Sequence, residues 1–233
     1  MLDTRAGRLA ASWAGTGPPV VLLPASGRAA SDFDPIRARL AARYRTVALD
    51  WPAMGDSPSP ERPEGLSASL LADGLEDALE AMALGPAVVI GHSVGGFAAA
   101  RLASRAPARV RALVLVNAGG FGVIRPLERL FCAVKGRAWV TRMIEGRFAR
   151  FHTRRRTEEA ARMIARVDEA RHRPGFAEVV AAVWRSFPRQ ESRLEREARG
   201  IRCETLLVWG ARDPIIPVRA SWQTTRPFGA AAA

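Results

Sequence analysis

Four short apolar runs constrain this chain more than anything else in it. They are Pro19-Val20-Val21-Leu22-Leu23, Ala87-Val88-Val89-Ile90, Val110 to Val116, and Thr205-Leu206-Leu207-Val208-Trp209. All four read as strands, and the continuous Pro19 to Leu23 run, ending at Pro24, reads as one buried on both faces, the pattern of a parallel sheet. A fifth strand, Thr46-Val47-Ala48-Leu49, is broken by Trp51-Pro52. Between them lie helical patterns. Phe33, Ile36 and Leu40 recur at helical spacing within Asp32 to Arg43. Leu66, Leu70, Leu71, Leu75, Leu79 and Met82 line one face of a long amphipathic helix that Gly85-Pro86 ends. Val94 to Arg105 forms a third helix, stopped before Pro107. Strand alternating with helix predicts an α/β fold: a mostly parallel sheet with helices on both faces and right-handed crossovers. Gly7 to Gly15 adds a leading antiparallel hairpin.

After Gly119-Gly120 the pattern changes. From Phe121 to about Gly200 no strand is legible, and three or four helical segments carry mixed aromatic and arginine residues. The expected division is a core of residues 1–120 and 201–233 interrupted by a helical cap insert over 121–200. With 233 residues and 48% hydrophobic content, the chain can bury a substantial core.

Gly91-His92-Ser93-Val94-Gly95 fits G-x-S-x-G and stands where it must for a nucleophile elbow, between a buried strand ending at Ile90 and a helix opening at Val94. Such a turn strains the serine backbone and needs small neighbours so that strand and helix can pass closely. Ser93 is therefore the candidate nucleophile, with the helix N-terminus favouring the negative charge that develops there. His92 adjoins Ser93, but on a tight elbow its ring points away, so it is expected to be structural or pocket-lining.

Taken with the blocks around it, this motif resembles the α/β-hydrolase fold superfamily, in particular serine esterase-like and lipase-like members with a helical cap. Four separated blocks carry the resemblance: Val20 to Gly27, Leu49-Asp50-Trp51-Pro52-Ala53-Met54-Gly55-Asp56-Ser57, the elbow, and Trp209-Gly210-Ala211-Arg212-Asp213-Pro214-Ile215-Ile216-Pro217. The resemblance implies backbone N–H groups of Ser26 and Val94 as an oxyanion hole and Asp213 as the acid that orients a histidine. Pro24-Ala25 departs from it, since His-Gly is usual there. Asn117, at the end of the preceding strand, does not ionise and is no alternative acid. The implied activity is hydrolysis of a small ester, lactone or related acyl substrate through an acyl-enzyme at Ser93, with no metal or organic cofactor. Carbon–carbon hydrolysis and cofactor-free perhydrolysis stay open.

The family order is serine, acid, histidine, yet no histidine follows Asp213. The expectation is a chain truncated or frame-shifted before its last strand and base, leaving an open, apolar edge at Leu206 to Trp209 and an impaired enzyme. Val218 to Thr225 could make two helical turns. His152 and His172, in the insert, are expected as surface or packing residues. The alternative is a catalytically inactive protein of this fold that binds a ligand or partner.

Other classes are set aside. The net charge of +12 comes from 35 Lys and Arg against 23 Asp and Glu, and Lys135 is the single lysine. No nucleic-acid motif accompanies the arginines, so a solvated, partly ion-paired surface is expected rather than a polyanion site. No run reaches the roughly 20 apolar residues of a membrane span. The start, with Asp3, Arg5 and Arg8, lacks a signal-peptide pattern. Cys132 and Cys203 have no metal spacing. A cytoplasmic protein with a small-molecule acyl substrate, no nucleic acid and no membrane partner is expected.

Overall fold

A computed structural model describes residues 1–121, 124–153, 157–194, 197–218 and 220. Seven strands form one sheet: β1 (Leu2–Thr4), β2 (Gly7–Ala14), β3 (Pro19–Leu23), β4 (Arg45–Asp50), β5 (Ala87–His92), β6 (Val110–Val116) and β7 (Glu204–Val208), in the order β1-β2-β4-β3-β5-β6-β7. β1 and β2 are antiparallel, β2 meets β4 antiparallel, and every later pair is parallel. The fold is thus the expected α/β architecture of the hydrolase type.

The helices are α1 (Asp34–Leu40), α2 (Ala68–Ala81), α3 (Val94–Arg105), α4 (Pro126–Lys135), α5 (Ala138–His152), α6 (Glu158–Ala170) and α7 (Phe176–Ser186). α2 begins where Ser67 accepts the Leu70 N–H at 3.1 Å, a side-chain cap. It ends before Ala83, whose φ of 48° leaves the helical region, so it is shorter than the apolar spacing suggests. The helix expected over Asp32 to Arg43 is likewise shorter: a 3₁₀ turn at Ala30–Phe33 precedes α1, which starts at Asp34-Pro35, where proline is tolerated. β1 carries no apolar run, and only its hairpin pairing reveals it.

The core lies between the sheet and α2 and α3. Leu71, Leu75 and Leu79 of α2 and Phe97 and Leu102 of α3 pack with Val21, Leu23, Val89 and Leu115 of the strands. From β6 to β7 the described residues contain helices α4 to α7 and no strand. α7 is the anchor of this excursion, with Phe176, Val179, Val180 and Val183 buried against the core. A ladder of aromatic rings continues outward from Phe97 through Phe187 and Trp184 to Phe131 and Phe148. β7 is the edge strand among the described residues, and Leu206 and Val208 on it are exposed. Of the two helical turns expected over Val218 to Thr225, all but Val218 and Ala220 lie outside the described residues.

Candidate active site

The parallel register decides what meets at the carboxyl ends of the strands. His92 of β5 pairs with Val116 of β6, which pairs with Val208 of β7. The ladder continues one residue further, with the Ser93 N–H donating to the Val116 carbonyl at 3.0 Å and the Asn117 N–H to the Val208 carbonyl at 2.9 Å. Ser93 and the start of the loop carrying Asp213 are therefore two strand spacings apart, about 10 Å across the sheet.

Ser93 has φ 55° and ψ −114°, outside the regions favoured by side-chain-bearing residues. Such a conformation costs on the order of 1–3 kcal/mol and persists only where its surroundings hold it. They do. A Cβ on Gly91 would stand 2.3 Å from the Gly95 carbonyl oxygen, and one on Gly95 would stand 2.3 Å from that of Leu23. The Ser93 carbonyl accepts from Phe97 and Gly119, both at 3.0 Å. Val94 is the first residue of α3, so its N–H is one of the four donors a helix leaves without an internal acceptor.

The second expected donor, Ser26, lies in the turn after β3, closed by the Arg28 N–H on the Ala25 carbonyl at 3.1 Å. Trp51 Nε1 holds the turn from below, donating to the Pro24 carbonyl at 2.7 Å. No backbone acceptor takes the Ser26 N–H among the described residues. Its Oγ is buried with no partner there either. Gly27, at φ 73°, is pressed from above: an added Cβ would come within 2.9 Å of Glu145 Oε1. Asp50, at the end of β4, braces the neighbouring segment by accepting the N–H groups of Ala30 at 2.6 Å and Asp56 at 3.1 Å. Burial raises its carboxyl pKa, with those backbone N–H groups working the other way.

Asp213 follows β7 and is held firmly. Its Oδ1 accepts from the N–H groups of Ile215 at 2.7 Å and Ile216 at 2.9 Å, and its Oδ2 accepts from Asn117 Nδ2. Asn117 in turn accepts the Gly210 N–H through Oδ1 at 3.2 Å. Asn117 thus positions the Asp213 carboxylate, a role its inability to ionise does not touch and that sequence reasoning missed.

The insert closes over this end of the sheet with polar groups. Lys135 is fully buried and paired with the almost fully buried Glu145, and its Nζ lies 4.7 Å above the Phe148 ring. Burial pulls the Lys135 ammonium down to about 7, while the Glu145 carboxylate in contact with it opposes that shift. His152, at the end of α5, meets Arg28 Nη2 through Nε2 at 2.8 Å. Its pKa falls to about 4 because it is buried and faces Arg28, although Asp213 pulls the other way. His92 falls to about 4 for the same leading reason, then through Arg28 and His152. His152 is therefore not a plain packing residue: the fold brings it into the electrostatic range of Asp213. His172 stays exposed, as expected. No hydrogen bond joins Asp213 to a histidine among the described residues. A cavity of about 430 Å³ lies beside the turn after β3, lined by Gly27, Arg28, Asp32, Asp50 and Arg166 among others, but not by Ser93. The described residues hold no cluster of three or more potential metal ligands.

A sequence profile described as the alpha/beta hydrolase family matches residues 20–231. The chain belongs to that family. It is 33% identical to an uncharacterized protein of Mycobacterium tuberculosis over 107 residues, 46% of this chain and 31% of that one, so the match spans less than a third of the relative's length. It is 32% identical to a 2-hydroxymuconate semialdehyde hydrolase of Pseudomonas putida, over 89% of this chain and 74% of that one. Among solved structures, an esterase from Thermogutta terrifontis superposes with a TM-score of 0.78 at 22% identity, covering 98% of this chain and 85% of that one. That likeness concerns the fold. No helix of the described residues is long and apolar enough to cross a membrane.

Proposed function

We propose that the protein is a serine hydrolase acting on a small ester, lactone or related acyl substrate through an acyl-enzyme at Ser93. The observation that carries this is the strained Ser93 backbone at the junction of β5 and α3, held by glycines that tolerate no Cβ. In this reading Ser93 Oγ attacks the acyl carbonyl, and the developing oxyanion is met by the N–H groups of Val94 and Ser26. As the acyl carbon–oxygen bond breaks, the Ser93 hydroxyl proton ends on the leaving oxygen; water then adds to the acyl-enzyme, releasing the carboxylic acid and restoring the Ser93 hydroxyl. Asp213, fixed by Asn117 and two backbone N–H groups, is the acid that would orient an imidazole base. Helices α4 to α7 act as the cap that sets substrate choice. The two cysteines are unpaired thiols, which suits the reducing cytoplasm.

A second reading has its own observation. No described histidine hydrogen-bonds Asp213, and His152 is engaged with Arg28. Without a base, turnover at Ser93 falls by on the order of 10⁶, and the fold serves as a binding protein. Labelling by a fluorophosphonate probe separates the two. Labelling of the parent that Ser93→Ala abolishes supports the enzyme. A folded parent that takes no label supports the binder. If His152→Gln suppresses labelling as fully as Ser93→Ala, His152 is the base.

A further inference from the structure

α4 is turned inside out. Leu127, Leu130, Phe131 and Val134 follow the i, i+3, i+4, i+7 spacing of a single helix face, which an amphipathic helix normally packs inward. Here most of that face meets solvent: Leu127 is 76% exposed and Leu130 59%, while the Phe131 ring turns back against Trp184 and Phe148. The buried residues of the helix are Cys132 and Lys135, the latter drawn in by Glu145 of α5. α5 adds Trp139, 63% exposed, and Met143, 60% exposed, one turn apart. Contiguous exposed apolar groups of this size mark an interaction surface.

The charge around the stripe says what covers it. Residues 121–200 contain nineteen of the 35 basic residues and ten of the 23 acidic ones, so +9 of the net +12 sits in the insert. Arg125, Arg129, Arg137 and Arg147 lie on α4, on α5 or at their starts, are exposed, and form no ion pair among the described residues. Arg142 and Arg150 are neutralised by Glu178 and Asp168. Glu128 is the one acid within α4 itself. A second copy of the chain would set the unpaired arginines of the two faces against each other, which like-charge repulsion opposes. An anionic surface satisfies both the arginines and the apolar stripe.

We propose that α4 and the first turns of α5 dock on the surface of an anionic lipid bilayer. Leu127, Leu130, Trp139 and Met143 enter the headgroup–acyl boundary, and the free arginines meet lipid phosphates. The attachment is in-plane, since no described helix is long and apolar enough to span. The same two helices seat Glu145 against Gly27 and His152 against Arg28. Docking therefore holds the loop of Ser26 beside the membrane from which an acyl substrate can be drawn. The docking surface itself does not depend on the hydrolase reading.

The test is co-sedimentation of the protein with phosphatidylcholine vesicles, with and without phosphatidylglycerol, in the Ser93→Ala background so that turnover plays no part. Expected is binding only to the anionic vesicles, released by salt. Leu127→Glu with Leu130→Glu should weaken it by about tenfold or more, and Arg129→Gln with Arg137→Gln by about fivefold or more. A blue shift of tryptophan emission on binding should diminish in Trp139→Phe. The arginine pair carries the test independently if the apolar pair disturbs α4. Absence of binding to anionic vesicles overturns the proposal, as does undiminished binding by both double variants. A dimer that Leu127→Glu with Leu130→Glu disrupts, without vesicle binding, assigns the face to a second copy instead.

Discussion

At the Ser93 turn the buried groups are backbone and small or apolar side chains, whereas beneath the insert Lys135, Thr141, Glu145 and Arg28 are buried together. The turn is held by exclusion: Gly91, Gly95 and Gly96 let β5, β3 and α3 approach so closely that no Cβ fits. The insert is held by pairing. Its interior charges are tolerable because Lys135 has Glu145 and the Phe148 ring against it and Arg28 has Asp32 at 4.0 Å. The turn therefore has one geometry enforced by sterics, and the insert has an arrangement that depends on charge state. In the proposed function, the first would hold the nucleophile and the second the cover that sets access.

The largest effect should come from breaking the buried pair. Lys135→Met leaves the Glu145 carboxylate buried and alone, and stability should fall by about 3–5 kcal/mol in urea unfolding. Lys135→Met with Glu145→Leu should recover most of that loss. If the double variant is as weak as the single one, pairing is not what the insert depends on. At the turn, Gly95→Ala drives a methyl into the Leu23 carbonyl, so a loss of about 3 kcal/mol is expected, with no partner change to rescue it. A variant as stable as the parent by thermal unfolding would refute the steric account.

The pH response sharpens the contrast further. His152 titrates at about 4 in the fold, because it is buried and faces Arg28, against roughly 6.5 when unfolded. Between those values the unfolded chain holds a proton that the native one lacks, so stability drops as pH falls from about 6.5 to 4. His152→Gln should flatten that slope by about 1–2 kcal/mol, leaving the part due to His92. An unchanged slope in chemical unfolding at pH 4.5 and 7 would remove His152 from the account. Smallest of all is the exposed Arg162–Glu158 pair on α6: Arg162→Ala should cost no more than about 0.5 kcal/mol. A large cost there would blur the distinction between buried and surface charge in the insert.

Strand position, parallel pairing and the elbow were legible in the chain because each rests on local patterns. Continuous apolar runs announce strands, and Gly-x-Ser-x-Gly between strand and helix announces the strained serine. The shortened α1 and α2 were hidden by caps and a proline whose effect is positional. The resemblance to hydrolases pointed to Ser26, Val94 and Asp213, and the register brings their segments to one end of the sheet. Asn117 as the support of Asp213 was not legible, because a hydrogen bond between residues 96 positions apart leaves no local pattern.

What the sequence determined by itself is the periodicity of its burial: which runs are strands, where the turn must strain, and that helices without a strand follow Gly120. Only tertiary structure decided which way α4 faces. Its apolar spacing predicts an inward stripe, but Lys135 and Glu145 pair beneath it and turn that stripe to solvent. Pattern reports that a helix has two unlike faces. Which face is buried depends on charges that meet across 10 residues of chain, and on a ring from α5 beneath the ammonium.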